Sequence, residues 1–241
     1  MYIILIKFSY LSFDLVMDCL KFRHPCTCMV SGPTMSGKTQ FVSKLLDFEM
    51  FTPKPQRIIW CYSQEQQLYE SLQARHPNLE FVRGTPSDLM STLDAKVRNM
   101  VILDDQMSKV GSDKELGEFF TEGSHHLNLS IIYIVQNLFD KGSQHRKASL
   151  NTQYFVIFKN PRDTGQIRSI ASQMYGKNSK FLTEAYTDAT REPYGYLVID
   201  MRQDTQDHLR VRTHIFPDEQ CTVYVPKNYK SIELQTPLTT A

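Results

Sequence analysis

The chain has 241 residues, 41% of them hydrophobic and 22% charged, an ordinary globular composition with enough apolar residues for a sizeable core. Lys and Arg total 27 against 26 Asp and Glu, a net charge of +1, so no global field draws the chain to nucleic acid or to an anionic membrane, and any such surface has to be local. Cys19, Cys26, Cys28, Cys61 and Cys221 are odd in number and form no CxxC pair, which argues against a disulfide framework or a structural zinc site and makes them reduced thiols.

The segment Met1 to Phe13 is apolar but carries Lys7 and is followed by Asp14 and Asp18, far short of the ~20 uncharged residues that span a bilayer. It has neither the basic flank nor the small-residue cleavage site of a secretory signal. Cys26 to Ser31 (CTCMVS) reads as a strand, Gly32 to Thr39 as a glycine-punctuated loop, and Phe41, Val42, Leu45 and Leu46 recur at helical spacing. After Pro53 and Pro55, Arg57 to Tyr62 (RIIWCY) reads as a second strand, Glu65 to Ala74 as a helix, and Leu79 to Val82 as a minor strand. Asn99 to Asp105 (NMVILDD) is a continuous apolar run ending in two carboxylates, as in a strand covered on both faces. A helix is expected over Asp113 to Thr121, strands over Leu129 to Asn137 and Gln153 to Lys159 with a polar stretch between them, and helices over Asp163 to Met174 and Lys180 to Ala189. Strands alternating with helices predict an α/β fold with a mainly parallel, helix-flanked sheet. Tyr194 to Asp200 and Leu209 to Ile215 lack a full helix between them and predict an antiparallel C-terminal extension. The expected organisation is an N-terminal extension over 1–23, one domain over 24–217 and a polar tail over 218–241.

Gly32, Pro33, Thr34, Met35, Ser36, Gly37, Lys38 and Thr39 match GxxxxGK(S/T), between a strand and a helix. The glycines allow successive backbone N–H groups to wrap phosphates at the start of a helix. Lys38 can reach the β and γ phosphates, the Thr39 hydroxyl can ligate Mg2+, and Gln40 continues the nucleotide-binding segment. Asp104 and Asp105 end a predicted parallel strand, the edge where such sheets meet ligands. Asp104 is then the candidate magnesium ligand and Asp105 the candidate for polarising the attacking water. Gln136 and Asn137 end the next strand, where an amide can sense the γ-phosphate, and Gln136 is the candidate.

Arg146 lies in a polar stretch where an arginine can reach a neighbouring subunit's nucleotide and stabilise transition-state charge; Arg162 and Arg168 are rivals for that role. Arg210, Arg212 and His214 alternate along a predicted strand, so they read either as a stripe against a DNA backbone or, preferably, as the wet face of an edge strand. Lys141, Arg146 and Lys147 form another candidate basic patch. The adjacent His125 and His126 cannot share one helix or strand face and are assigned no metal.

With these residues in view, GPTMSGKTQFV, RIIWCYS, NMVILDDQM, FFTEGSHHLNLSIIYIVQNLF, ASLNTQYFVIFKNPRD, EAYTDATREPYGYLVID and LRVRTHIFP resemble the genome-packaging ATPase of Maverick/Polinton and adinto-type viruses. That family is similar to the poxvirus packaging ATPase and lies within the FtsK/HerA superfamily of P-loop NTPases. The resemblance covers His24 to Pro217. It implies an ASCE-type P-loop sheet, a homo-oligomeric ring with ATP sites between subunits, and ATP hydrolysis that drives viral double-stranded DNA into a capsid. It implies roles for Lys38, Thr39, Asp104, Asp105 and Gln136 and favours Arg146 as a finger. Capsid portal or vertex proteins become expected partners, and the expected location is inside an infected cell, at the nucleus or virus assembly site or within the virion, neither secreted nor in a membrane. Two departures stand out: Asp105 where the superfamily usually has Glu, and Met35 where relatives often have Gly. The other classes compatible with the residues are a P-loop scaffold that binds nucleotide without hydrolysing it and a P-loop kinase, for which no arginine-rich lid or acceptor motif is evident.

Overall fold

The computed structural model describes residues 2–5, 18–84, 89–104, 127–139 and 143–227. Its centre is a ten-stranded sheet. Six strands run parallel: β3 (Thr27–Ser31), β5 (Arg57–Tyr62), β6 (Leu79–Arg83), β7 (Asn99–Asp104), β8 (Leu129–Val135) and β9 (Tyr154–Phe158). The antiparallel part follows β9 with β10 (Tyr196–Asp200), β11 (Val211–Thr213), β12 (Thr222–Val225) and β1 (Tyr2–Leu5). The lateral order is β1-β12-β11-β10-β9-β3-β8-β7-β5-β6. A separate two-stranded pair joins β2 (Phe22–Arg23) to β4 (Phe51–Thr52).

Among the described residues, the helices that cover the sheet are α1 (Lys38–Asp47), α2 (Leu68–Arg75), α3 (Ser143–Leu150), α4 (Gly165–Tyr175) and α5 (Lys180–Ala189). The period of two along each strand sorts the core into two layers. Val30, Trp60, Ile102, Ile134, Val156 and Val198 meet Phe41, Val42, Leu45 and Leu46 of α1 and Leu72 of α2. Met29, Cys61, Leu103, Tyr133, Phe155 and Leu197 meet Ile167, Ile170 and Ala171 of α4 and Leu182, Ala185 and Ala189 of α5. Because both faces are covered, the inner parallel strands β3, β7, β8 and β9 are buried at every position, which is why they read as largely apolar runs.

The expected α/β class, with its mainly parallel helix-flanked sheet and antiparallel C-terminal extension, is the observed architecture. The helix Lys180–Ala189 and the strand Arg57–Tyr62 have the expected bounds. Three readings change. The polar stretch before β9 contains a helix, α3, of which Ala148 is fully buried. The sheet continues past Pro217 through β12 and takes in β1. The Arg210/Arg212/His214 stripe does not form: β11 lies between β10 and β12, so it has no wet edge. Arg212 is 1% exposed, ion-paired with the buried Asp200 at 3.4 Å and donating to the Leu209 carbonyl at 2.5 Å. Arg210 instead donates to the carbonyls of Asp200 and Arg202. His214 alone is exposed, at φ 54°.

The described thiols are all free; Cys26, Cys28, Cys61 and Cys221 are buried, and Cys19 is exposed. Burial pushes Cys26 and Cys61 up to about 12, so neither is a nucleophile near neutral pH. Among the described residues, no helix is long and apolar enough to cross a membrane.

Candidate nucleotide site

The loop from Gly32 to Gly37 leaves β3 and turns directly into α1. At Gly32 a side chain is excluded: a Cβ there would lie 2.7 Å from both Phe158 Cβ and Ser36 Oγ. Gly37 caps α1 in the left-handed region, at φ 99°, a conformation without cost only for glycine. Met35 is also left-handed, at φ 63°, and 89% exposed, which is the physical reason glycine suits that position. The Lys38 ammonium is centred in the loop, donating to the carbonyls of Gly32 at 2.7 Å and Pro33 at 2.8 Å.

Strand register brings the other expected residues to this loop. Ser31 lies opposite Val135 on β8, and Ile134 lies opposite Asp104 on β7. The Asp104 backbone is thus two strands from the start of the loop, roughly 10 Å away by the usual inter-strand spacing. Alternation decides the face: Met100 and Ile102 point into the layer beneath α1, and Asp104 follows them. A cleft of 760 Å³ opens there, lined by the loop residues Thr34 to Gln40 and also by Asp104, Gln136 and Tyr69. Asp104 is 6% exposed. Asp105 lies outside the described residues, as do Lys141, His125, His126 and the helix expected over Asp113 to Thr121.

Arg146 is exposed on α3 and does not line the cleft. Arg162 is exposed in the segment after β9, at the same sheet edge as the loop, its backbone N–H bonded to Asn160 Oδ1 at 3.1 Å. Arg168 is exposed on α4.

Several contributors were not picked out from the sequence. The Tyr69 hydroxyl donates to Asp104 Oδ2 at 3.3 Å, and its ring stacks on Phe81 at 4.5 Å. Burial and the neighbouring carboxylate push the Tyr69 phenol up, so it stays a proton donor. Gln166 pins the chain just past Gln136: its Oε1 accepts from the Leu138 N–H at 2.6 Å, and its Nε2 donates to Asn137 Oδ1 at 3.1 Å. At the other end of the cleft, Lys44 of α1 reaches Asp218 and Glu219, each at 3.2 Å, and lies 4.5 Å from the Phe216 ring centroid. Tyr196 donates to Glu219 at 2.6 Å. No local pattern reveals these pairs, because the hydrogen-bonded partners lie 23 to 175 residues apart in the chain.

The donor set suits one cation. Among the described residues no group of three or more His, Cys, Asp or Glu could hold a metal, while Asp104 and Thr39 border the same cleft as the phosphate loop. One carboxylate and one hydroxyl, completed by water and substrate phosphates, is the usual arrangement for magnesium.

No protein-family model matches the chain, and no curated protein sequence matches it. Solved structures do. The crystal structure of B204, the DNA-packaging ATPase from Sulfolobus turreted icosahedral virus, superposes with a TM-score of 0.52 at 10% identity, over 83% of this chain and 97% of that one. The genome-packaging NTPase B204 from Sulfolobus turreted icosahedral virus 2 in complex with ATP-gammaS gives 0.51 at 13% identity, over 83% and 97%. Its complex with AMPPCP gives 0.52 at 13%, over the same shares. The fold is that of a P-loop NTPase. At this identity the likeness is one of fold, and it spans nearly all of the viral chains.

Proposed function

We propose that this chain is the ATP-hydrolysing subunit of a motor that moves viral double-stranded DNA into a particle. One observation carries the reading: the phosphate loop, the Asp104 carboxylate and the Gln136 amide line a single cleft. Support for the DNA-packaging part comes from the sequence resemblance to Maverick/Polinton-type packaging ATPases within the FtsK/HerA superfamily and from the shared fold with B204. In this reading Gly32 to Gln40 cradle the triphosphate, Lys38 neutralises the β and γ phosphates, and Thr39 and Asp104 hold Mg2+. The ion, when bound, supplies positive charge to the phosphate oxygens. Asp105 polarises the attacking water, with Gln136 orienting it against the γ-phosphate. Arg146 or Arg162 completes the site of the neighbouring subunit in a homo-oligomeric ring. The motor acts at the site of virus assembly in an infected cell and docks on a capsid portal or vertex.

The net charge of +1 makes a single subunit a poor DNA ligand, so grip depends on assembly. The decisive experiment is phosphate release from purified protein with and without duplex DNA, for wild type, K38A and D105N. The motor reading expects DNA-stimulated turnover in wild type and its loss in both variants. Equal slow release from all three would leave a nucleotide-binding scaffold, and phosphate appearing on a small-molecule acceptor would make the chain a kinase.

A further inference from the structure

The cleft is chemically lopsided. On the β7 and β8 side of the phosphate loop its lining brings the polar groups of Asp104, Gln136 and Tyr69 together with Ile134 and Val135. On the β9 and β10 side it is aromatic, with Phe158, Tyr194, Tyr196 and Phe216. Three of these rings are buried and pack on Phe41 of α1, with centroid separations of 4.7 to 5.9 Å. Tyr194 differs: it is 70% exposed. A Cβ built on Gly37 would lie 3.4 Å from Tyr194 Cδ1, so this ring stands directly against the phosphate loop.

The backbone makes its placement costly. Arg191, Glu192, Pro193, Tyr194 and Gly195 join α5 to β10, and the Gly195 N–H closes a turn on the Glu192 carbonyl at 3.2 Å. Pro193 and Tyr194 are the central residues, and Tyr194 has φ 62°. A left-handed residue after proline in such a turn is ordinarily glycine. The neighbouring glycine cannot take that role, because Gly195 is held by crowding instead: a Cβ there would lie 2.5 Å from the Ala189 carbonyl oxygen. The sequence thus accepts a strained aromatic at an exposed position beside the phosphate loop, and strain of this kind collects where a side chain has work to do.

We infer that Tyr194 is the nucleobase platform of this site. With the triphosphate held by Gly32 to Lys38 and its terminal phosphate toward Asp104, the base extends toward the aromatic side and lies on the exposed Tyr194 ring. The ligand class is therefore a nucleoside triphosphate, and the Tyr194 contact belongs to the base alone. Stacking of this kind tolerates any base because every base has a π face. On the aromatic side of the cleft the Glu219 carboxylate is engaged by Lys44 and Tyr196. The inference rests on the nucleotide-binding reading above and adds to it the residue that separates a nucleotide from a bare polyphosphate.

The test measures affinity of the full chain for ATP-gammaS and for inorganic tripolyphosphate, each with magnesium, by calorimetry. In Tyr194→Ala the ATP-gammaS affinity falls about tenfold, as base–aromatic contacts do on truncation, while tripolyphosphate binds as in wild type. Tyr194→Phe and Tyr194→Trp retain wild-type ATP-gammaS affinity, since the ring and not the hydroxyl makes the contact. Tyr194→Gly relieves the left-handed strain, keeps the fold, and loses ATP-gammaS affinity as the alanine variant does. Wild-type affinity for ATP-gammaS in the alanine and glycine variants overturns the inference, as does an equal loss for both ligands. Failure of the underlying reading looks different: K38A would then bind both ligands as wild type does.

Discussion

The two ends of the parallel strands use polar residues in opposite ways. At the N-terminal edge β3, β7, β8 and β9 begin in polar networks. Asn99 donates through Nδ2 to the carbonyls of Asp94, Val97 and Leu127 at 2.8 to 3.1 Å. Ser130 Oγ accepts from the Cys26 N–H at 3.1 Å and lies 2.6 Å from His24 Nδ1, whose other ring nitrogen lies 3.0 Å from Asn128 Oδ1. Thr27 donates to the Asn151 carbonyl, and its own N–H donates to Gln153 Oε1. At the C-terminal edge, Asp104 and Gln136 border a 760 Å³ cleft with Lys38. The first edge spends most of its polar groups on one another and fastens the strands; the second turns them toward an open cleft. Stability and function should therefore separate cleanly when each edge is altered.

The largest expected effect is at the cleft. Asp104→Asn should cut phosphate release by roughly a hundredfold or more, comparable to removing one electrostatic contact to a transition state, while the thermal midpoint changes little. A melting curve and a steady-state assay on the same preparation check both halves. Next comes the opposite edge, where Asn99→Ala strips the bond donor from three carbonyls at a site 1% exposed. The expected loss is about 3 kcal/mol in urea unfolding, with turnover per folded molecule unaltered. If Asn99→Ala abolished turnover in folded protein, the division between the two edges would be lost.

Smaller is the pH response of His24. Burial is the main cause that pulls its pKa below the ordinary 6.5, with Arg98 adding to it against the bond from Asn128. The geometry suits a neutral ring: Nε2–H donates to Asn128, and Nδ1 accepts from the Ser130 hydroxyl. Because the folded pKa is the lower one, the unfolded chain takes up the proton first. Stability is unaffected well above pH 6.5 and declines as the pH falls through that value toward the lower folded pKa. Melts from about pH 8 to about pH 5 should show a decline attributable to this group, and His24→Phe should flatten it. The smallest effect is Tyr69→Phe, which removes the hydroxyl bonded to Asp104 but keeps the ring against Phe81. A rise of about threefold in the magnesium concentration needed for half-maximal turnover is expected, in line with about 0.5–1 kcal/mol for one hydrogen bond.

The same contrast explains what could be read from the sequence. The phosphate loop is contiguous, and Asp104 and Gln136 each close an apolar run, so local pattern sufficed to bring them to one edge. Alternation by itself places Arg212 on a wet face; its burial depends on Asp200, on the neighbouring strand, and on β12 covering the other side. Strand β12 has only four residues and follows a polar turn, so it carried too little periodicity to stand out from a tail. Among the described side chains of helix α3, Ala148 alone is fully buried, which leaves hardly any apolar stripe to read. Tyr69 and Gln166 act through partners 35 and 28 residues away, and Tyr194 is conspicuous only once its positive φ is known. In each case the deciding contact is non-local.

Lys44 has a mechanical implication. It sits on the helix that begins at the phosphate loop, yet its ammonium grips Asp218 and Glu219, just before the strand that pairs with β11 and β1. Any tilt of that helix pulls on the far side of the sheet as a crank pulls on a rod. The antiparallel part of the sheet is thereby tied to the helix that bears the phosphate loop by side-chain contacts as well as through the strands between them.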